Sequence, residues 1–419
     1  MIRRFSLYGF LKNQQYYDYS LVLAFLAMGL DYATIGLLVG IREAATAVME
    51  IPSGVLADRT GRRRALLVSL VSYILSFALF GALGLAAEAG RIANGPLVAS
   101  LAVAMALFAV GEAFRSGTHK AMIFAWLRAE GRTDERVEVY GHTRSMAKLG
   151  SAVSVVIACT IIWWTGDFVS VFFFAIIPYL LNLLNIATYP ASLDSIGEER
   201  VTARSLVRDL VASVRRALTR SELRRLLAED MGFDGFFKVS KGYLQPILLT
   251  AALPLSAHLL GGLELNEAQR SVVLLGPVYV ALFLLSATAS RHAHRLVAPG
   301  RSPDAAAHRI WMGSALVFAL IAWALWSAHA AVAIAGFALF YVLQNLWRPL
   351  LLSRLDQLSD VAEAATMLSV ESQARSLFSL VLAPSLGLLV DLAGGEPGGL
   401  WPVPLVGLGL ALVFAARGI

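Results

Sequence analysis

The chain has 419 residues, 58% apolar and only 15% charged, whereas soluble domains are roughly half apolar and a quarter charged, so the composition excludes a water-soluble globular protein. The formal charge of +6 is divided among short, separated turns, which excludes the contiguous basic face of a nucleic-acid binder. The one cysteine, Cys159, lies in an apolar run near Trp163 and Trp164, leaving neither an intrachain disulfide nor a cysteine metal site.

Residues 1–4 are basic but no small-residue cleavage site follows them, so the first helix reads as retained rather than as a signal peptide. A run of about 20 apolar residues crosses a bilayer core, and the chain supplies a succession of such runs. Span one covers 7–30, span two ends at 56, and spans three to six cover 65–87, 96–127, 139–164 and 168–189. Spans seven to twelve cover 231–253, 271–293, 310–326, 331–352, 366–392 and 400–416. Turns on one side hold most of the arginines, while those on the other hold only Arg91 and Arg270. Basic loops stay in the cytoplasm, so both termini are expected inside a cytoplasmic membrane.

Between the sixth and seventh spans the composition changes. Residues 190–230 hold eight arginines and seven acids, with Leu206, Leu210, Val214 and Leu218 at helical spacing opposite Arg204, Arg208, Arg215 and Arg216. This predicts an amphipathic linker helix at a membrane surface. The expected organisation is a six-helix bundle over 1–190, a linker over 191–230 and a second bundle over 231–419.

The halves also carry matching stretches. Gly9-Phe10-Leu11-Lys12 answers Gly235-Phe236-Phe237-Lys238, and Tyr17 answers Tyr243 at the same offset. Arg115 answers Arg348, and Arg144-Ser145 answers Arg375-Ser376. The matches join spans one with seven, four with ten and five with eleven, as an internal repeat requires.

The turn after span two holds Gly54, Asp58, Arg59, Gly61, Arg62 and Arg63. These six positions match G-x-x-x-D-[RK]-x-G-[RK]-[RK], and on them the chain resembles the major facilitator superfamily, the twelve-helix transporters. The resemblance implies an all-α integral membrane fold of two pseudo-symmetric six-helix bundles. Spans one, four, five, seven, ten and eleven would line the substrate cavity. It also implies that these six residues form a gate or conformational latch, with Gly54 allowing close helix packing. The loop after span eight, Ser290-Arg291-His292-Ala293-His294-Arg295, lacks the aspartate. Span five lacks the G-x-x-x-G-P-x-x-G-G pattern of drug–proton antiporters, and Arg115-Ser116-Gly117 departs from their R-x-x-x-G.

A charge at mid-membrane costs at least about 2.5–3.5 kcal/mol, so it faces a wet cavity or a partner. Helical spacing puts Asp234, Lys238, Lys241 and Gln245 on one face of span seven, and Arg115 and His119, with Glu112, on one face of span four. Asn345 and Arg348 share a face of span ten, and Glu371 and Arg375 one of span eleven. Span one adds Lys12, Asn13 and Tyr16. Glu112 aside, these residues are the candidate substrate or proton cavity.

On the candidate cavity spans nine bases stand against Asp18, Glu112, Asp234 and Glu371, which favours an anionic substrate. Efflux of neutral or cationic amphiphiles is the alternative, and a non-transporting membrane receptor or scaffold is the alternative of another class. All five lysines, Lys12, Lys120, Lys148, Lys238 and Lys241, fall in predicted spans, against 30 arginines in the chain. Lysine loses its proton more readily than arginine when desolvated, so Lys12 and Lys238 are candidates to titrate during transport. No Walker-type glycine loop, catalytic constellation or metal motif appears. The expectation is a monomeric, non-enzymatic secondary transporter without a cofactor. Its partners would be a small molecule, the bilayer and a coupling proton or ion.

Overall fold

The computed structural model describes residues 1–190, 193, 208, 215, 219–293, 302–358, 361–395 and 397–416. Within these, the side chains of Ile51, Asp58, Val137, residues 356–358 and 361–368, and Pro397 are excluded. Most of the linker expected over 191–230, including most of its amphipathic pattern at 204–218, therefore lies outside the described residues.

All regular structure among the described residues is helical. The elements are α1 Ile2–Lys12, α2 Leu21–Ala27, α3 Tyr32–Thr60, α4 Arg62–Glu88, α5 Asn94–Arg115, α6 Thr118–Ala129, α7 Arg136–Thr165 and α8 Ser170–Ala187. There follow α9 Ser221–Asp230, α10 Phe236–Ser240, α11 Leu244–Leu259, α12 Glu267–His292, α13 Pro303–Trp326, α14 Ala330–Leu358, α15 Val361–Leu392 and α16 Pro402–Ala416.

Ten helical stretches among the described residues are long and apolar enough to cross a membrane. Neither the first nor the seventh expected span is among them: span one is interrupted, and span seven, though helical throughout, changes helix type along its length and carries Asp230, Asp234, Lys238 and Lys241. Span one stops at Lys12 and resumes as a 3-10 turn, Tyr16–Tyr19, before α2. Span seven contains a wide turn of π type at Met231–Gly235, then α10, then a 3-10 turn, Lys241–Tyr243, before α11. A 3-10 turn follows both Lys12 and its repeat mate Lys238, so the repeat extends to the position of the irregularity. The unwound residues of span one at such depth require protein or a water-lined cavity around them.

Other differences from the sequence expectation are local. The charged stretch after span two is mainly helix: α3 runs through Thr60, and Gly61 alone joins it to α4. Gly61 has φ 103°, a conformation open to glycine and costly for other residues. Span four divides at Ser116-Gly117, where Gly117 takes φ 72°, outside helical geometry. Span seven begins earlier than expected, since α9 carries the chain from Ser221 into it without a loop.

The helices form two compact units. One comprises residues 1–29 and 41–207, the other residues 30–40 and 208–419, so α3 contributes to both. The first unit is centred on Phe25, Tyr73, Phe77, Phe80 and Phe172, all below 2% exposure. The second is centred on Phe233, Phe236, Phe340 and Trp347, equally buried. Large apolar side chains point outward from both, with Trp164 79% and Trp326 80% exposed. Lipid covers such surfaces, and tryptophans near helix ends suit its interface.

Candidate functional sites in the two units

In the first unit, α1, α5, α6 and α7 enclose a cavity of about 350 Å³, near the lower limit for small-molecule sites. Its walls include Tyr8, Lys12 and Asn13 from α1, Glu112 and Arg115 from α5, His119 and Lys120 from α6, and Tyr140 and Arg144 from α7. Arg115 forms an ion pair with Glu112, one turn back on the same helix. The Tyr73 hydroxyl donates to Glu112 Oε2 at 2.5 Å and accepts from Arg115 Nε at 3.2 Å. The one acid of the cavity wall is thereby occupied. Among the described residues no carboxylate lies within ion-pair distance of Lys12 or Arg144. Arg144 and Lys120 are exposed, while Lys12 is half-buried.

Aromatic surface completes this wall. His119 stacks on Tyr8 with centroids 3.9 Å apart and planes at 19°. The Lys120 ammonium lies 5.5 Å from the centre of the Tyr140 ring and 5.6 Å from that of Phe124, a cation–π arrangement. Asn13 donates to the Gly9 carbonyl at 2.7 Å and so caps the broken end of α1. Tyr16 is buried in the 3-10 turn and is not a wall residue.

In the second unit, three buried carboxylates gather around two partly exposed arginines. Arg348 on α14 bonds Glu371 on α15, and reaches Asp234 at 3.4 Å and Asp230 at 3.7 Å. Arg375 lies 3.2 Å from Glu371, 3.4 Å from Asp234 and 3.5 Å from Asp230. Gln344 donates to Asp234 at 3.3 Å. The carboxylates are buried: Glu371 is 0%, Asp230 1% and Asp234 5% exposed. Sequence reasoning missed Asp230 by ending the linker there. Its spacing of four from Asp234 on a helix was the available signal, and the π turn between them still keeps both at the arginines.

The other candidates of the second unit have contacts of their own. Asn345 accepts from Ser290 at 3.1 Å and donates to the Tyr341 carbonyl at 2.9 Å. Gln245 is buried on α11, Lys241 is half-buried in the 3-10 turn, and Lys238 is exposed on α10.

The repeat register shows how the two sites diverged. Matching Lys12 with Lys238 sets Tyr8 opposite Asp234, and matching Arg144 with Arg375 sets Tyr140 opposite Glu371. Both repeats keep their arginines, but the first places tyrosines where the second places acids. One site is left with basic groups facing a cavity, while the other is internally paired.

For the residues after span two, a Cβ on Gly54 would meet open space. Gly54 itself is exposed on α3. Arg62 donates to the Ala121 carbonyl at 3.2 Å, and Arg63 to the carbonyls of Ile186 and Ala187 at 3.2 and 2.6 Å. Arg4 donates to the Thr188 carbonyl at 2.8 Å. Arg63 and Arg4 thus bond carbonyls at and just beyond the C-terminal end of α8, where intrahelical donors run out, Ile186 also accepting from Tyr189 N–H at 3.0 Å. Arg59 is exposed, and the Asp58 side chain lies outside the described residues.

Comparison with known proteins agrees with this architecture. The fold is similar to that of a point mutant of the nucleoside transporter NupG, with TM-score 0.76 and 11% identity over 100% of this chain and 98% of that one. It is also similar to a POT family transporter in complex with 5-aminolevulinic acid, with TM-score 0.70 and 14% identity over 100% and 96%. A third similar structure is the inward-open xylose transporter XylE from E. coli, with TM-score 0.60 and 15% identity over 99% and 94%. No curated protein sequence matches the chain. The family profile of the Major Facilitator Superfamily matches residues 15–384. The chain is therefore a multi-pass membrane transporter belonging to the Major Facilitator Superfamily.

Proposed function

We propose that the protein carries a small organic anion across the cytoplasmic membrane by alternating access, with proton coupling. The observation that carries this reading is the first-unit cavity, whose wall has four bases and one acid, the acid being bonded to Arg115 and Tyr73. Fixed positive groups offset the desolvation of an incoming anion. Tyr8, His119 and Tyr140 add the aromatic surface of an organic-ligand pocket. A carboxylate or phosphate would lie between Lys12 and Arg144, the bases without carboxylate partners among the described residues.

The second-unit cluster supplies the coupling site in this reading. Three ionised carboxylates against two guanidinium groups leave one uncompensated negative charge, on carboxylates at most 5% exposed. A single proton removes it. Among the similar structures is a D-xylose-proton symporter, which supports proton coupling on this fold. Gly54, Asp58, Arg59, Gly61, Arg62 and Arg63 are assigned to balancing the access states, with both termini in the cytoplasm.

A thermal-melting screen of the purified protein against small carboxylates, organic phosphates, amines and neutral sugars tests the substrate class. Ligand at a hundred times its dissociation constant stabilises by about 2.7 kcal/mol. An anion is expected to raise the melting temperature of the wild type and not that of Arg144→Gln. Stabilisation by amines alone would refute the reading.

A further inference from the structure

Residues 30–40 begin α3 yet belong to the second unit, and the same helix enters the first unit at Ile41. Three features fix this beginning to α15. Asp391, in the last turn of α15, accepts from the backbone N–H of Tyr32 at 3.1 Å and from that of Ala33 at 2.7 Å. The helices also meet through small residues: a Cβ on Gly387 would fall on the Tyr32 carbonyl, and one on Gly36 on the Ala383 carbonyl. Finally, the Tyr32 ring stacks on Tyr243 with centroids 5.9 Å apart and planes at 21°.

The first N–H groups of a helix lack intrahelical acceptors and carry the positive end of its dipole. Asp391 matches both, from a different helix. Asp31 separately accepts from Thr34 N–H at 2.8 Å, so α3 retains a cap of its own if Asp391 departs. The glycine faces present no large side chain that must change rotamer for the surfaces to part. The contact combines a charge-assisted hold with a surface that separates readily. It lies at the end of the spans opposite the arginine-rich turns, so it is distinct from the Asp58 region.

We infer that Asp391 is a conformational latch: its carboxylate on the N-terminus of α3 holds this end against α15 in one access state and releases when that end opens. The inference rests on alternating access but not on the substrate or the coupling ion. Tyr243 belongs to the 3-10 turn of span seven, so the latched end of α3 also abuts the segment that follows Lys238 and Lys241.

The test uses the full chain in lipid nanodiscs with Cys159→Ser and spin labels at Arg91→Cys and Gly262→Cys, in turns at the latch end, read by pulsed dipolar spectroscopy. Removing a hydrogen bond to a charged group shifts an equilibrium by about tenfold or more. Asp391→Asn is therefore expected to raise the share of the longer distance by about tenfold, and Gly387→Ala to shift it the same way. Asp31→Asn, which removes a charge at the same helix end without touching α15, is expected to leave the distribution unchanged. A wild-type distribution in Asp391→Asn overturns the latch, even if its melting temperature falls, since that would be a purely structural role. A longer distance in Gly387→Ala but not in Asp391→Asn refutes the latch while leaving alternating access standing. Its absence from every variant refutes both.

Discussion

Arg348→Met is the sharpest perturbation of the buried charge cluster. In the wild type Arg348 bonds Glu371 and lies within 3.4 Å of Asp234 and 3.7 Å of Asp230. Methionine fills similar apolar volume but leaves Arg375 alone with three carboxylates, none more than 5% exposed. Removing one member of a buried ionic group costs about 3–5 kcal/mol, because the remaining charge stays desolvated. For a chain of this size that corresponds to a fall in melting temperature on the order of 5 °C. Adding Glu371→Gln returns the cluster to the wild-type balance of one excess negative charge and should recover much of the loss, whereas Glu371→Gln alone sets two carboxylates against two guanidinium groups and leaves no net charge. Melting curves of the wild type, both single variants and the double variant in one detergent give the coupling energy directly. Additive losses, or an Arg348→Met protein as stable as the wild type, would refute the account of the cluster.

Three further outcomes follow. Gly61→Ala forces a side chain into φ 103° and should cost about 1–3 kcal/mol, measured by melting temperature, whereas Gly54→Ala, facing open space, should be nearly neutral. Lys12→Arg keeps a cationic group in the first-unit cavity but removes its ability to lose a proton, so the variant should bind the anion yet lose wild-type pH dependence of transport in proteoliposomes. Hydrogen bonds from Thr34 hold Asp31 below the usual carboxylate range. A depressed folded value means that its stabilisation is present above the unfolded pKa and lost as pH falls through the folded one. The deficit of Asp31→Ala against the wild type, about 0.5–1 kcal/mol for so exposed a cap, should therefore be constant near neutrality and fade below about pH 4.

The membrane architecture was legible because lipid imposes it. Long apolar runs and the basic stretch that parts α3 from α4 have a local physical cause, although that stretch is mainly helix with Gly61 as its one joint. The interruption of span one and the changes of helix type in span seven were not legible, because their apolar runs continue through them and nothing in the apolar pattern marks a 3-10 turn. The repeat match between Lys12 and Lys238 was visible, but its coincidence with the 3-10 turns required coordinates. Helical spacing placed Glu371 and Arg375 on one face. It could not show that Asp230 and Asp234 converge on them from span seven, since that depends on packing between helices. Asp391 was invisible for a similar reason: its hydrogen-bonding partners are backbone groups more than three hundred residues away. Tyr8 and Tyr140 escaped notice because, in an apolar sequence, tyrosine carries no mark of facing a cavity.

The central claim is that anion movement and proton movement are coupled through the two differentiated sites. It is tested most directly in proteoliposomes holding a trapped pH dye, by counting protons moved per molecule of the best-binding anion from the melting screen. The account predicts proton flux that appears only when the anion is present and stands in fixed ratio to it. Arg144→Gln should abolish both fluxes, and Asp234→Asn should abolish the proton flux while leaving anion exchange. Anion transport indifferent to a pH gradient, with no proton movement in the wild type, would contradict the account.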